Sequence, residues 1–164
     1  MIRKATPGDA EAIARVQVET WRAAYAHAVP AGTLAKASVD DRVRLWRGWL
    51  GRPGAASTTF VAEADGEVVG FANVGPAADD PGLGELYSIY VLPSAWGTGA
   101  AAALIERGEE ALRDQGFTAA VLNVLADNPR ARRFYERQGW AGGETFRSTF
   151  LGHEVELARH RKEL

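Results

Sequence analysis

Apolar residues recur at several different periods along the chain, and each change of period marks an element. IRKA at 2–5 suits a short strand. Thr6-Pro7-Gly8-Asp9 follows, with an acid three residues after the threonine, the spacing of a capping box. Ile13, Val16, Trp21 and Ala24 then fall at helical spacing, which predicts a first helix to about Ala26. HAVPAG breaks it, and Leu34 to Leu50 reads as a second helical region with Val39, Val43, Trp46 and Leu50 on one side. After the loop GRPGAAST the period drops to two. TFVAEADGEVVGFANV is a hairpin turning at Asp65-Gly66, a pair suited to a type I′ turn. ELYSIYVL is apolar on both faces for most of its length and reads as a central strand. Gly97 to Gln115 returns to helical period, with Leu104, Ile105, Ala111 and Leu112 on one side, and Gly116 ends it. TAAVLNVL is a further strand. Asn128-Pro129 opens a short helix that Gly139 stops, and Trp140–Phe146 and His153–Ala158 are the last strands.

The order is strand, two helices, three strands, helix, strand, helix, two strands. That is an α+β (mixed α/β) chain around one largely antiparallel sheet, without the regular βαβ alternation of a dinucleotide-binding fold. No repeat or linker divides residues 1–164, so a single domain is expected. No apolar run approaches the roughly 20 residues of a membrane span, and MIRKATPGDA lacks the apolar core of a signal peptide, so a cytoplasmic protein without membrane contact is expected. A net charge of −2 argues against a nucleic-acid partner. With no cysteine, and with His27, His153 and His160 scattered, no metal site is expected. The charge is uneven: no Lys or Arg falls between Arg52 and Arg107, where acids such as Glu85 do.

The run VLPSAWGTGAAAAL, from Val91 to Leu104, is the most suggestive. A strand feeding a G-x-G turn and then a helix collects unpaired backbone N–H groups at the positive end of a helix dipole, a setting that attracts anions without a charged side chain. Glycine permits close approach, and Ala100 and Ala101 keep the helix start open. No lysine follows the second glycine, so the loop is not a nucleoside-triphosphate loop, and Ala102 stands where a dinucleotide fingerprint needs its third glycine. By itself, G-x-G describes a tight turn as well as it describes a phosphate cradle.

Its surroundings add more. Val91-Leu92-Pro93 followed by Trp96-Gly97-Thr98-Gly99-Ala100-Ala101 resembles the acetyl-CoA signature of the GNAT superfamily of N-acetyltransferases, V-x-P and then [QR]-x-x-G-x-[GA]. VLNVLADNPRARRFYERQGW resembles the second block of that family, with Leu122, Val124, Asn128, Ala131, Phe134, Tyr135, Gly139 and Trp140 at matching positions, and IRKATPGDAEAI resembles its N-terminus. The resemblance implies a mostly antiparallel twisted sheet of about seven strands flanked by about four helices. It also implies transfer of acetyl from acetyl-CoA to a primary amine, borne by a small molecule or a peptide, with no covalent enzyme intermediate. It departs at Trp96, where the family pattern has Gln or Arg; this leaves the amides of residues 97–102 to supply most of the phosphate binding, with Trp96 packing against the pantetheine or its own turn.

Residue by residue, the resemblance places the pantetheine arm along the backbone of Ile89, Tyr90 and Val91, and the phosphates on Gly97, Thr98, Gly99, Ala100, Ala101 and Ala102. Asn128 contacts coenzyme, caps its helix, or does both. Of Arg130, Arg132 and Arg133, Arg130 is the candidate to reach the phosphates, the alternative being a solvated face. Tyr135 matches the general acid that protonates the departing thiolate; otherwise it is a core aromatic. Glu85 matches a general base in lysine-acetylating members, and by strict alternation shares a strand face with Tyr87, Ile89 and Val91. A base is needed because an alkyl ammonium with a pKa of about 10.4 is almost entirely protonated at neutral pH. The other role open to Glu85 is that of a solvated strand start. Trp21, Tyr25, His27 and Tyr87 are candidates to line the acceptor pocket, with core packing the alternative for Trp21 and Tyr25. The cation-free span suggests an acidic approach for a cationic amine. The C-terminal strands offer a surface for a homodimer. The competing function is a coenzyme-binding sensor or docking module of the same fold without turnover.

Overall fold

A computed structural model describes residues 1–164. One seven-stranded sheet runs through it, in the order β1-β2-β3-β4-β5-β7-β6. The strands are β1 (Ile2–Lys4), β2 (Thr58–Ala64), β3 (Glu67–Pro76), β4 (Gly84–Val91), β5 (Ala119–Leu125), β6 (Ala141–Phe150) and β7 (His153–Glu163). The helices are α1 (Ala10–Ala24), the single turn α2 (Ala31–Leu34), α3 (Val39–Leu50), α4 (Ala100–Asp114) and α5 (Pro129–Arg137). All neighbours are antiparallel except β4 and β5. The α+β architecture expected from the periodicities is therefore observed, with β4 in the middle of the sheet.

Each face of the sheet is covered. On one side Leu104, Ile105 and Leu112 of α4 and Tyr135 of α5 pack on Ala72, Val74, Leu86 and Leu122. On the other, Ile13, Val16 and Trp46 of α1 and α3 pack on Val61 and Phe71. These are the apolar stripes that the helical spacing predicted. The capping box forms, with the Thr6 amide donating to Asp9 at 2.7 Å. Arg3 clamps the same carboxylate at 2.8 Å and holds it down to a pKa of about 2, mainly through its hydrogen bond. No helix is long and apolar enough to cross a membrane.

Several boundaries differ from the sequence reading. The Leu34–Leu50 region is two pieces, α2 and α3, because Ser38 adopts an extended conformation and its hydroxyl accepts from Asp41 N–H, starting a new helix. The helix expected from Gly97 begins at Ala100, since Gly97 (φ +78°) and Gly99 (φ +88°) are left-handed. The final two strands run on to Phe150 and Glu163, because each finds a partner along its length whatever its own composition.

The feature that creates the site lies at the sheet's centre. β4 and β5 pair only over Gly84–Ala120, Glu85–Val121 and Leu86–Leu122, then diverge. At that point β4 carries a bulge: Asn73 pairs with Ser88 and Val74 with Leu86, leaving Tyr87 unmatched. An extra residue bends a strand and raises its twist. It also reverses the alternation of faces. Leu86, Ile89 and Val91 all belong to the α4-side core, while Tyr90 packs on the α1 side. The expectation that Glu85 shares a face with Ile89 and Val91 is thereby corrected, because strict alternation does not survive the bulge.

Candidate active site

Leu92 N–H donates to Val69 C=O at 2.8 Å, so alternate residues Tyr90 and Ser88 bond β3 while Ile89 and Val91 turn their N–H and C=O toward the gap. β5 does not reach them there. Val91 C=O is taken by the indole Nε1 of Trp96 at 2.8 Å. What remains at the edge of the gap is the N–H and C=O of Ile89 and the N–H of Val91, a short unpaired strand edge.

Beyond it the chain turns through Pro93–Ala95 into the glycine loop. Thr98 N–H bonds Ala95 C=O at 3.4 Å and Ala103 N–H bonds Gly99 C=O at 3.0 Å. The N–H groups of Gly97, Gly99, Ala101 and Ala102 have no partner in the chain. Thr98 itself turns inward, its hydroxyl donating to Ala95 C=O at 2.6 Å. The loop is thus a cluster of free donors at the start of a 15-residue helix.

A cleft of about 690 Å³ runs from this loop through the gap between the strands. Ile89, Tyr90, Val91, Trp96, Gly97 and Gly99 line it, with Ala100, Ala101 and Ala102 at the helix start. From α5 come Asn128, Arg130 and Tyr135. Asn128 does serve as a cap, its side-chain oxygen accepting from Ala131 N–H at 3.1 Å, while also facing the cleft. Tyr135 is 9% exposed and its hydroxyl has no hydrogen-bond partner in the chain. Burial, and secondarily Tyr90, raises its pKa well beyond the ordinary phenol value, so it stays protonated at any physiological pH. Tyr25 donates to, or accepts from, Tyr90 across 3.3 Å between hydroxyls, and burial raises its pKa too.

A second cavity of about 270 Å³ opens on the α1 side, sharing Tyr25, Leu86, Tyr87 and Asn123 with the first. Glu85 lies here, with Phe150, Thr149 and Leu157. Tyr25 and Phe150 meet edge to face at 4.6 Å to form an aromatic wall. Burial raises the Glu85 pKa; Asp79 adds to this and Arg159 opposes it. Arg159 is itself committed, bonding Asp79 at 2.8 Å and Asn123 at 3.2 Å. Tyr87 donates its hydroxyl to Pro76 C=O, its ring resting over Gly75, where a Cβ would lie 2.8 Å from that oxygen.

Charge is segregated between the two cavities. The larger is lined by Arg130 and Arg137 and by no acid. The smaller is lined by Glu85 and by no cation. The cation-free span of sequence contributes to both cavities, and the arginines of the larger one come from α5.

Trp21 and His27 line neither cavity. Trp21 is buried between Tyr90 and Phe150, edge-on to both. His27 Nε2 bonds Asp127 C=O at 2.7 Å and ties the segment after α1 to the loop before α5. Sequence reasoning passed over Asn123, Phe150, Arg137 and the side chain of Tyr90. Asn123 had a signal, a lone polar residue inside TAAVLNVL, and Arg137 recurs seven residues after Arg130. Phe150 had none, since only the insertion of β7 between β5 and β6 brings that hairpin to the site.

A strand gap at the centre of the sheet, with a cluster of free backbone donors on one side of it, is the defining feature of this site. Residues 17–140 match the model of the acetyltransferase (GNAT) family, and the chain belongs to that family. It is 38% identical over 136 residues to a mycothiol acetyltransferase of Streptomyces griseus, covering 83% of this chain and 39% of that protein. This chain therefore spans about two-fifths of that relative's length. It is 33% identical over 131 residues to the uncharacterized N-acetyltransferase YuaI of Bacillus subtilis, covering 78% and 73% of the two chains. In fold it resembles the PaiA N-acetyltransferase of Thermoplasma acidophilum, whose structure was solved in complex with coenzyme A: TM-score 0.78, 20% identity, 100% of this chain and 98% of that one.

Proposed function

We propose that the protein transfers acetyl from acetyl-CoA to a primary amine by direct attack, with the coenzyme in the larger cleft and the acceptor in the smaller. The observation that carries this is the segregation of charge around one continuous opening: cations and free amides at one end, a single carboxylate at the other. Acetyl-CoA would supply the thioester carbonyl and a thiolate leaving group. The free amides of Gly97, Gly99, Ala101 and Ala102 fit its pyrophosphate, and the unpaired edge of Ile89 and Val91 fits its pantetheine amides as an added strand.

Glu85, directly or through a water, takes the proton that the acceptor ammonium must lose. A raised pKa suits it, since a base poised nearer neutrality removes protons more effectively than an ordinary carboxylate. The C–N bond forms as the C–S bond breaks. Tyr135, protonated and without an internal partner, delivers its proton to the departing sulfur, and the second proton that the nitrogen sheds on becoming an amide restores Tyr135. The aromatic wall of Tyr25 and Phe150 accommodates the apolar body of the acceptor or stabilises its cationic head.

The similarity to mycothiol acetyltransferases supports a small-molecule amine as acceptor. A cavity of about 270 Å³ is consistent with that, or with the end of a peptide. The test is thiol release from acetyl-CoA across a panel of cationic, neutral and anionic amines. The reading expects turnover with small cationic amines and little with anionic ones. Preference for anionic amines contradicts the acceptor assignment. Coenzyme binding with no release on any amine favours the sensor.

A further inference from the structure

The glycine loop has free amides but no cation of its own, and Trp96 occupies the position where the family pattern has Gln or Arg. Arg130 stands over the Trp96 ring, its guanidinium carbon 3.6 Å from the ring centroid. That is a close stack across the mouth of the cleft, joining the β4–α4 turn to the start of α5. The indole is itself held, because its Nε1 donates to Val91 C=O at 2.8 Å. A cation–π contact with a ring face uses none of the guanidinium N–H donors, which stay free to bond an anion. Arg130 makes no ion pair or hydrogen bond with the chain, whereas its neighbour Arg132 donates to Ala126 C=O at 3.1 Å and Arg133 lies outside the cleft. The cleft it faces is also lined by Tyr135, whose hydroxyl has no partner in the chain.

We propose that Trp96 and Arg130 act as one unit that replaces the missing cation of the loop: Trp96 is the mount, and Arg130 binds the coenzyme's pyrophosphate from the opposite side of the cleft. This rests on the coenzyme reading above and adds to it a specific residue, a specific phosphate and a reason for the tryptophan. The pyrophosphate is favoured over the 3′-phosphate because the mount immediately precedes the free amides of Gly97 and Gly99. The guanidinium and the amides then converge on one anion from two sides. Arg137, two helical turns further along α5, is left for a more distant group.

Isothermal titration with CoA, 3′-dephospho-CoA and pantetheine tests this on the wild type, Arg130→Ala, Arg133→Ala, Trp96→Ala and the Trp96→Ala/Arg130→Ala double variant. Arg130→Ala is expected to weaken CoA and 3′-dephospho-CoA equally, by about tenfold or more, and to leave pantetheine unchanged. Arg133→Ala changes none of them. Trp96→Ala weakens the phosphorylated ligands as well, and the double variant is no worse than the weaker single, because the two residues form one unit. A loss confined to CoA assigns Arg130 to the 3′-phosphate and overturns the proposal, as does no loss at all. Additive losses overturn the role of Trp96 as mount. Failure of the wild type to bind any of the three ligands would instead overturn the coenzyme reading itself.

Discussion

Glu85 and Tyr135 are both moved by burial toward their protonated forms, and the consequence differs for each. For Tyr135, the proposed acid, it keeps the proton in place. For Glu85, the proposed base, it moves protonation above the ordinary carboxylate range, so the acid limb of kcat/KM should fall nearer neutrality than for an exposed glutamate. The charged groups that set it are Asp79, which raises it, and Arg159, which lowers it. A carboxyl whose folded pKa is raised favours the fold fully below its unfolded pKa, and that contribution is lost as pH rises through the folded value. Above that value the ionised Glu85 is a cost to the fold. Glu85→Gln should lower kcat/KM by about 10²-fold and flatten its acid limb, while the melting temperature at pH 7 stays level or rises. A fall in melting temperature with unchanged kcat/KM would make Glu85 a structural residue.

At the scale of elements, α4, β7 and the turn after α5 are tied together by one part-buried ion pair. Lys162 Nζ bonds both oxygens of Glu109 at 2.8 Å and Gln138 C=O at 2.8 Å, and Trp140 Nε1 donates to Glu109 at 3.1 Å. Glu109 is 6% exposed, and Arg113 also reaches it, at 3.5 Å. Lys162→Met leaves that buried carboxylate with Trp140 and the longer Arg113 contact, which should cost about 3 kcal/mol by chemical denaturation. A loss under about 1 kcal/mol would show that water replaces the ammonium. Legibility also divides at this scale. The helices, the Asp65-Gly66 hairpin and the central place of ELYSIYVL were readable, because each rests on local period or turn chemistry. The bulge at Tyr87 was not, since ELYSIYVL contains no glycine or proline to mark it and only pairing with β3 reveals it. The split between α2 and α3 was readable in principle from Ser38, whose hydroxyl caps the second helix.

Across the whole molecule, two consequences of topology make the site. β4 and β5 part after Leu86, which opens a passage between the faces of the sheet. β7 enters between β5 and β6, which carries Phe150 and Leu157 to the acceptor side. The lining of the larger cleft was legible in VLPSAWGTGAAAAL and the Asn128–Tyr135 block, because it is built from local turns and helix starts. The lining of the smaller cavity was only partly so: Glu85, Tyr25 and Tyr87 line it, whereas Trp21 is packed between aromatic rings and His27 braces a loop. Residues that converge from separate strands leave no local pattern to read.

If the opening transfers acetyl through Tyr135 and does not merely hold coenzyme, losing that hydroxyl slows release without weakening binding. Single-turnover thiol release compares wild type and Tyr135→Phe, each first saturated with acetyl-CoA and then mixed with the best amine of the panel. Coenzyme affinities are expected within about twofold of each other, with the rate lowered by about 10²-fold or more in the variant. Release by Tyr135→Phe at the wild-type rate would contradict transfer through Tyr135.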